Sequence, residues 1–434
     1  MKHRRNQIAG LALLCSAALS IAACASNGSA GTDGSSGSGA APGATLSVAN
    51  FDPFSGPNAG EGTTAEAGCI TAVRVVNQAG GVLGHHLHCV VVDNRGDPAD
   101  AVPAAQQMLS TTPNLVGIID EDSSLLGATV PLFNQAHIPD LSLGGDVAFD
   151  HNHLPYFWRT IPGDDVFGDA LGAYVRFATP YRRIAAVFVN DVSAQGNVPG
   201  LKNSVKHLGL NLVDNLVLAQ NQTSYQTEIA RLKADHVQAI VTETDPQSGG
   251  VLLSQMKQAG LLLPMICTGV CLDPNWLKAA KADLGAATLQ HLTTVVQQWA
   301  PSSGPAWAQY KSALLASAAQ IPNVNSYVND IYPEDNYDGV IMMALAMIAA
   351  HSTDPAKFNP YIQKITTGST VVHTYAQARA ALEAGKTIDY QGVEGQIHFD
   401  KYHNSAGIWA GINPLTSATL HVMPSIDVTK ALGH

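Results

Sequence analysis

The chain has 434 residues, 46% of them hydrophobic and 13% charged, so it carries ample apolar material for a core, is unlike a disordered tail, and has the length of two or three domains. Asp and Glu number 34 against 23 Lys and Arg, a net charge of −11, with no basic cluster beyond the first five positions, which speaks against a nucleic-acid surface. Past the N-terminus no stretch of about 20 residues is free of charges and turn formers, so no membrane span is expected there.

The N-terminus reads as an export signal. Lys2, Arg4 and Arg5 form a basic n-region, and residues 8–23 form an apolar stretch, short and Ala-rich for a membrane helix. The signal is expected to span 1–23. It ends in Ile21-Ala22-Ala23-Cys24, which resembles a bacterial lipobox, so Cys24 is expected to carry lipid as the first mature residue. Residues 24–44 then read as the lipidated Cys and a flexible tether. Of the 20 residues after Cys24, 16 are Gly, Ser or Ala, a composition with a reach of about 25 Å.

Besides Cys15 and Cys24 the chain has Cys69, Cys89, Cys267 and Cys271. In an oxidising compartment these allow three pairings. The sequence-local one, Cys69 with Cys89 and Cys267 with Cys271, is expected; buried free thiols are the alternative. Cys267 and Cys271 lack the second Cys or His pair that a zinc site needs.

Residues 46–49 read as a strand and Ser55-Gly56-Pro57 as a turn. Thr63 and Glu66 have the spacing of a capping box, after which Ala67, Ile70, Val73 and Val76 recur at helical period until Gly80-Gly81. Strand-like runs follow at 87–92, 115–119, 184–189 and 239–242, with helical stretches such as 98–109, 200–207 and 226–234 between them. Strands alternating with helices predict an α/β fold of βαβ units with parallel sheets, and the length favours two doubly wound lobes. Ligands of such folds sit beyond the carboxyl ends of the strands. No GxSxG, HExxH, GxxxxGK[ST] or GxGxxG occurs, and no cofactor or metal is expected. His86 and His88 share a strand face, for which a solvated strand entry is the plainer reading than a metal site.

Several patches in order carry a resemblance. Ser55-Gly56-Pro57, Asn77-Gln78-Ala79-Gly80-Gly81-Val82, Val91-Val92-Asp93 and Asp97-Pro98 are followed by Phe157-Trp158-Arg159-Thr160 and by Asp191 five residues before Gly196. Asn336-Tyr337-Asp338-Gly339 and the run from Tyr390-Gln391-Gly392 to Phe399-Asp400 complete the series. Together they resemble the branched-chain amino-acid (leucine/isoleucine/valine) binding proteins of ABC importers, which have the type I periplasmic binding fold. The resemblance implies two lobes joined by three crossing segments, one at 45–160 plus 300–392 and the other at 161–299 plus 393–434, with the ligand in the cleft between them.

The resemblance also implies a ligand set. The seat for a ligand carboxylate falls on Ser123 and Ser124 at a helix start, where Ser123 could equally cap its own helix. The small-residue loop falls on Gly144 and Asp146, the first loop on Glu61, and the second lobe on Gln195, Asp245 and Thr268. The family's acid for a ligand ammonium falls at Gly269. These positions hold three acids and no aromatic ring, which argues against leucine-like ligands and for one with an amine or many hydroxyls. The function implied is a receptor that captures a small polar ligand, an amino acid, an amide or a relative, and is not an enzyme. Its partners would be a permease with cytoplasmic ATPases and, through Cys24, the outer face of the cell membrane; the chain would act as a monomer. A ligand sensor of the same fold is the alternative and a hydrolase with a dispersed triad the third reading.

Overall fold

The structure is a computed structural model that describes residues 40–422 except 57, 121, 299–301, 406, 408, 417 and 418, with side chains described as far as 416. The expected signal at 1–23, the lipid site at Cys24 and the tether up to residue 39 lie outside the described residues. The last part of that tether is not free chain. Ala40 packs against the core of the first lobe, and the Ala44 carbonyl accepts a 2.7 Å hydrogen bond from Nδ1 of the buried His85.

The first lobe opens with β1 (Leu46–Asp52), α1 (Ala59–Gln78), β2 (Leu87–Asp93), α2 (Pro98–Thr111), β3 (Leu115–Asp120), α3 (Leu126–Gln135), β4 (Asp140–Ser142) and β5 (Phe157–Arg159). The strands form a parallel sheet in the order β2-β1-β3-β4-β5. β1 is buried at every residue while the edge strand β2 is partly open, as expected when helices cover both faces of a parallel sheet.

α1 starts four residues before Thr63, so Thr63 and Glu66 do not form its capping box. The hydroxyls of Thr63 and Thr64 both donate to the Gly60 carbonyl inside the helix. Gly60 and Gly62 conceal this first turn, because glycine is a poor helix former. Packing requires the second of them: a Cβ on Gly62 would stand 2.6 Å from the Pro53 carbonyl oxygen.

The chain then crosses to a second lobe made of α4 (Asp164–Ala178), β6 (Arg183–Val189), α5 (Val192–Leu208), β7 (Asn211–Leu218), α6 (Gln226–Ala234), β8 (Ala239–Glu243), α7 (Pro246–Gln258), β9 (Met265–Cys267), α8 (Pro274–Leu284), α9 (Ala286–Leu292) and β10 (Thr293–Gln298). It returns to the first core as α10 (Gly304–Ala316), α11 (Ile331–Ala350), α12 (Pro355–Phe358), α13 (Tyr361–Lys364), β11 (Thr370–Val372), α14 (Tyr375–Glu383), β12 (Ile388–Gly392) and β13 (Gly395–Gln396). β14 (Trp409–Ile412) and β15 (Thr419–Val422) then rejoin the second sheet, ordered β15-β14-β10-β9-β8-β6-β7. That sheet is parallel from β7 to β10 and gains β14 and β15 antiparallel.

Val393, Ile397 and Phe399 still pack in the first core, and the next residue in the second core is Trp409. The third crossing therefore lies between residues 400 and 408 and not after Gly392. The cause is a tie to α11: the Glu394 amide donates to Asp338 Oδ2 at 2.9 Å and holds the β12–β13 hairpin on the first lobe.

Cys69 on α1 is bridged to Cys89 on β2, with Cα atoms 6.2 Å apart, and Cys267 is bridged to Cys271 at 6.1 Å. His86 and His88 are exposed. Among the described residues no cluster of His, Cys, Asp and Glu is arranged for a metal, and no helix is long and apolar enough to cross a membrane.

Candidate functional site

Doubly wound sheets bring the carboxyl ends of strands and the N-termini of the following helices to one edge. Here those edges of the two lobes meet around a cavity of about 140 Å³. The first lobe contributes the start of α1, the Asp122-Ser123-Ser124 segment after β3, and Asp330 and Tyr332 at the start of α11. The second contributes Asp191 and Ser193, the segment from Glu243 to Pro246, and residues between Thr268 and Asn275.

Eight lining residues are acids, namely Glu61, Asp122, Asp164, Asp191, Glu243, Asp245, Asp273 and Asp330, and no Lys, Arg or His is among them. Most stand there because a helix start needs a hydrogen-bond acceptor for its free amides. Asp191 accepts from the Ala194 amide at 2.7 Å, Asp245 from Gln247 and Ser248 at 3.0 and 2.9 Å, Asp273 from Asn275 and Trp276 at 2.8 Å each, and Asp330 from Tyr332 at 3.2 Å. Ahead of α3, Asp122 Oδ1 accepts from both the amide and the hydroxyl of Ser124, at 2.8 and 2.5 Å. Capping uses one oxygen. The other oxygens of Asp122 and Asp245, residues 7% and 8% exposed, are buried without a hydrogen-bond partner, as is Oε2 of Glu61.

Taking a carboxyl out of water favours its protonated form. Burial, then the fields of Asp122, Asp52, Asp191 and Asp273, holds Glu61 well above the usual carboxylate range. Burial likewise pushes Glu243 up to about 7, with Asp191 adding to it, and Asp330 to about 7. Asp191 is raised to about 6, mainly by burial and against its capping bond from Ala194. Asp164 is held well above its ordinary value by burial and by Glu243, although Arg159 opposes this.

Of the residues expected at the site, Glu61, Ser123, Ser124, Asp245 and Thr268 line the cavity, whereas Gly144, Asp146 and Gln195 do not. The Gly144 amide donates to Ser142 Oγ, and the side chain of Leu126 covers its Cα. Asp146 caps the short 3-10 turn Val147–Phe149, and its carbonyl accepts from Arg159. Gln195 turns back to donate to the Val189 carbonyl at 2.8 Å. The expectation of a wall without aromatic rings is also corrected, since Phe167 and Tyr332 line it. Gly269 lies beneath the Tyr332 hydroxyl, and a Cβ there would stand 2.7 Å from it, which leaves no room for an acid at that position. Sequence reasoning missed Asp164, Glu243, Asp273 and Asp330. Asp245-Pro246 and Asp273-Pro274 did carry a signal, because Asp followed by Pro is a helix-start pattern.

A family model described as periplasmic binding protein matches residues 45–407. The leucine-, isoleucine-, valine-, threonine-, and alanine-binding protein of Pseudomonas aeruginosa is 25% identical over 230 residues, which is 50% of this chain and 58% of that protein. The chain thus spans little more than half the length of this curated relative. Among solved structures, the branched-chain amino acid transporter substrate binding protein of Streptococcus pneumoniae, in complex with isoleucine, gives a TM-score of 0.70 at 18% identity, covering 88% of this chain and 100% of that one. The ABC transporter solute binding protein of R. palustris, in complex with benzoate, gives 0.66 at 18% identity, covering 87% and 96%. At these identities the likeness is one of fold.

Proposed function

The chain belongs to the periplasmic binding protein family, and from that premise we propose that it is the exported solute receptor of an ABC importer. It captures a small polar ligand between its lobes and presents the closed form to a permease driven by cytoplasmic ATPases. It works by binding, with no chemical step. Glu61, Ser123, Ser124, Asp245 and Thr268 make the ligand contacts, and Cys24 anchors the chain by lipid to the outer face of the membrane.

The observation that carries this reading is the cavity walled by both lobes. A ligand touching both walls adds contacts that an open form lacks, so it shifts the population toward closure, the difference a permease can sense. The test is a thermal-shift screen of the chain from residue 24 onward against amino acids, amides, amines and aromatic acids. A true ligand at 100 times its Kd stabilises the fold by about 2.7 kcal/mol; no shift with any small solute would sink the reading. The anchor has its own test. Cys24→Ser should leave the precursor unprocessed or release it from the membrane, and unchanged retention would refute the lipid.

A further inference from the structure

Receptors of this fold have an obvious seat for a ligand anion, the free amides of the helix N-termini that face the cleft. In this chain those seats are filled from within. Asp122, Asp191, Asp245, Asp273 and Asp330 each accept from amides at a helix start or in the turn before it. Ser124 gives both its amide and its hydroxyl to Asp122, and the Ser123 hydroxyl bonds Asp164 while accepting from the Gly145 amide. A ligand carboxylate brought to these helix starts would find their amides already taken by the protein's own carboxyls.

Capping does not account for the whole arrangement. A cap needs one oxygen, yet the second oxygens of Asp122 and Asp245 are buried at the cavity with no donor. Such oxygens call for N–H or O–H groups from a ligand. Among the described residues no Lys, Arg or His lines the cavity, and no group of acids is arranged to hold a metal. Between them the wall is apolar, with Leu143, Ile161, Phe167 and Val189, which suits methylene groups better than a polyhydroxyl chain. The volume, about 140 Å³, is close to the ~150 Å³ of a cavity that takes benzene, a molecule of six heavy atoms.

Resting on the receptor reading above, we propose that the ligand is a small organic cation without a carboxylate, a short alkyl chain carrying ammonium or guanidinium groups at its ends. Its N–H groups pair the open oxygens of Asp122 and Asp245 on opposite lobes, and its methylenes pack on the apolar wall. Choline, a quaternary ammonium with no N–H and a single hydroxyl, can answer only one of the two oxygens.

The experiment is calorimetry and thermal shift on the purified chain from residue 24 onward, with 1,4-diaminobutane and (4-aminobutyl)guanidine as probes against leucine, isoleucine and choline. At least one of the two probes should bind at micromolar concentration or tighter, and choline and leucine at least 100-fold more weakly. Asp245→Asn keeps a good capping residue and removes the charge, so it should weaken the probe at least 10-fold with the fold intact by circular dichroism, as should Asp122→Asn. Asp100→Asn, on the exposed start of α2, should leave binding unchanged. Tight leucine or isoleucine binding without amine binding would overturn this inference while leaving the receptor reading in place. Choline binding as tightly as the diamine would overturn it too, as would Asp245→Asn and Asp122→Asn variants that bind normally. If no solute binds, both fall together.

Discussion

Two groups of buried acids share one helix and are treated in opposite ways. At the start of α11, Asp330 belongs to the cleft. One and two turns further on, Glu334, Asp335 and Asp338 are sealed in the first lobe beside Glu394. Asp338 is answered by the protein itself: its oxygens accept from the Tyr390 hydroxyl at 2.7 Å and the Glu394 amide at 2.9 Å. Glu334 and Glu394 are pushed well above the carboxylate range by burial and by their acidic neighbours, so a proton neutralises them. Glu61, Asp122, Asp164 and Asp245 in the cleft each keep one oxygen without a hydrogen-bond partner, and these residues line a cavity. On the binding reading proposed above, a buried carboxyl serves a ligand only where space adjoins it; elsewhere it is part of the scaffold.

The largest expected effect breaks this contrast with pH. Asp335, Asp338, Glu243 and Asp330 are each raised to about 7 and Asp191 to about 6, all chiefly by burial, against about 4 in an unfolded chain. Between these values the native state holds more protons than the unfolded one, so stability falls as pH rises. The contribution of these groups is fully present below about pH 4 and is lost between about pH 4 and 7, by about 1.4 kcal/mol per pH unit for each group over that interval. Urea unfolding across pH measures this. A bound cation should flatten the cleft's share and leave that of the sealed acids; stability that rises from pH 5 to 8 in the empty protein would contradict the burial of both groups.

A smaller effect sharpens the sealed side. Asp338→Ala strands the Tyr390 hydroxyl and the Glu394 amide in a buried place, at a cost of about 3 kcal/mol, while Asp338→Asn keeps an acceptor for one of them and should cost less. Urea midpoints compare the two. A loss under about 1 kcal/mol for the Ala variant would show that the hairpin does not depend on this acid.

The contrast also marks what could be read from the sequence. Strand and helix order followed from apolar runs and punctuation, because β3, β6 and β8 are buried and carry apolar runs, while β1, equally buried, is interrupted by Ser47 and Asn50. The three-residue strands β4, β5 and β9 gave no such run and drew their identity from neighbours in the sheet. At the site, Ser123, Asp245 and Thr268 come from segments that follow strands directly, and Glu61 from the first turn of α1, places where position in the chain fixes position in the cleft. Asp273 and Asp330 lie after a 3-10 turn and at a helix entry reached by a second crossing. Asp273 acts on Glu61 and on Asp330 from the other lobe, a placement that no local pattern records. Gly144 and Asp146 lie in the loop after β4 and Gln195 in the first turn of α5, and local hydrogen bonds hold them away from the cavity.

Those last residues give the smallest expected effect and the closest test of the cavity wall. Asp146 spends its side chain on the Ala148 amide and its carbonyl on Arg159, so Asp146→Ala removes a cap on a single turn and should cost about 1 kcal/mol of stability. Gln195→Ala deletes one bond to the Val189 carbonyl and should cost a similar amount. Neither residue lines the cavity, so ligand affinity should stay within a factor of two, about 0.4 kcal/mol, where Asp245→Asn loses tenfold or more. The pairing matters because Asp146 and Asp245 are both capping aspartates in loops after strands, and only Asp245 lines the cavity. If Asp146→Ala weakens the ligand as much as Asp245→Asn does, adjacency to the cavity is not what selects the binding acids.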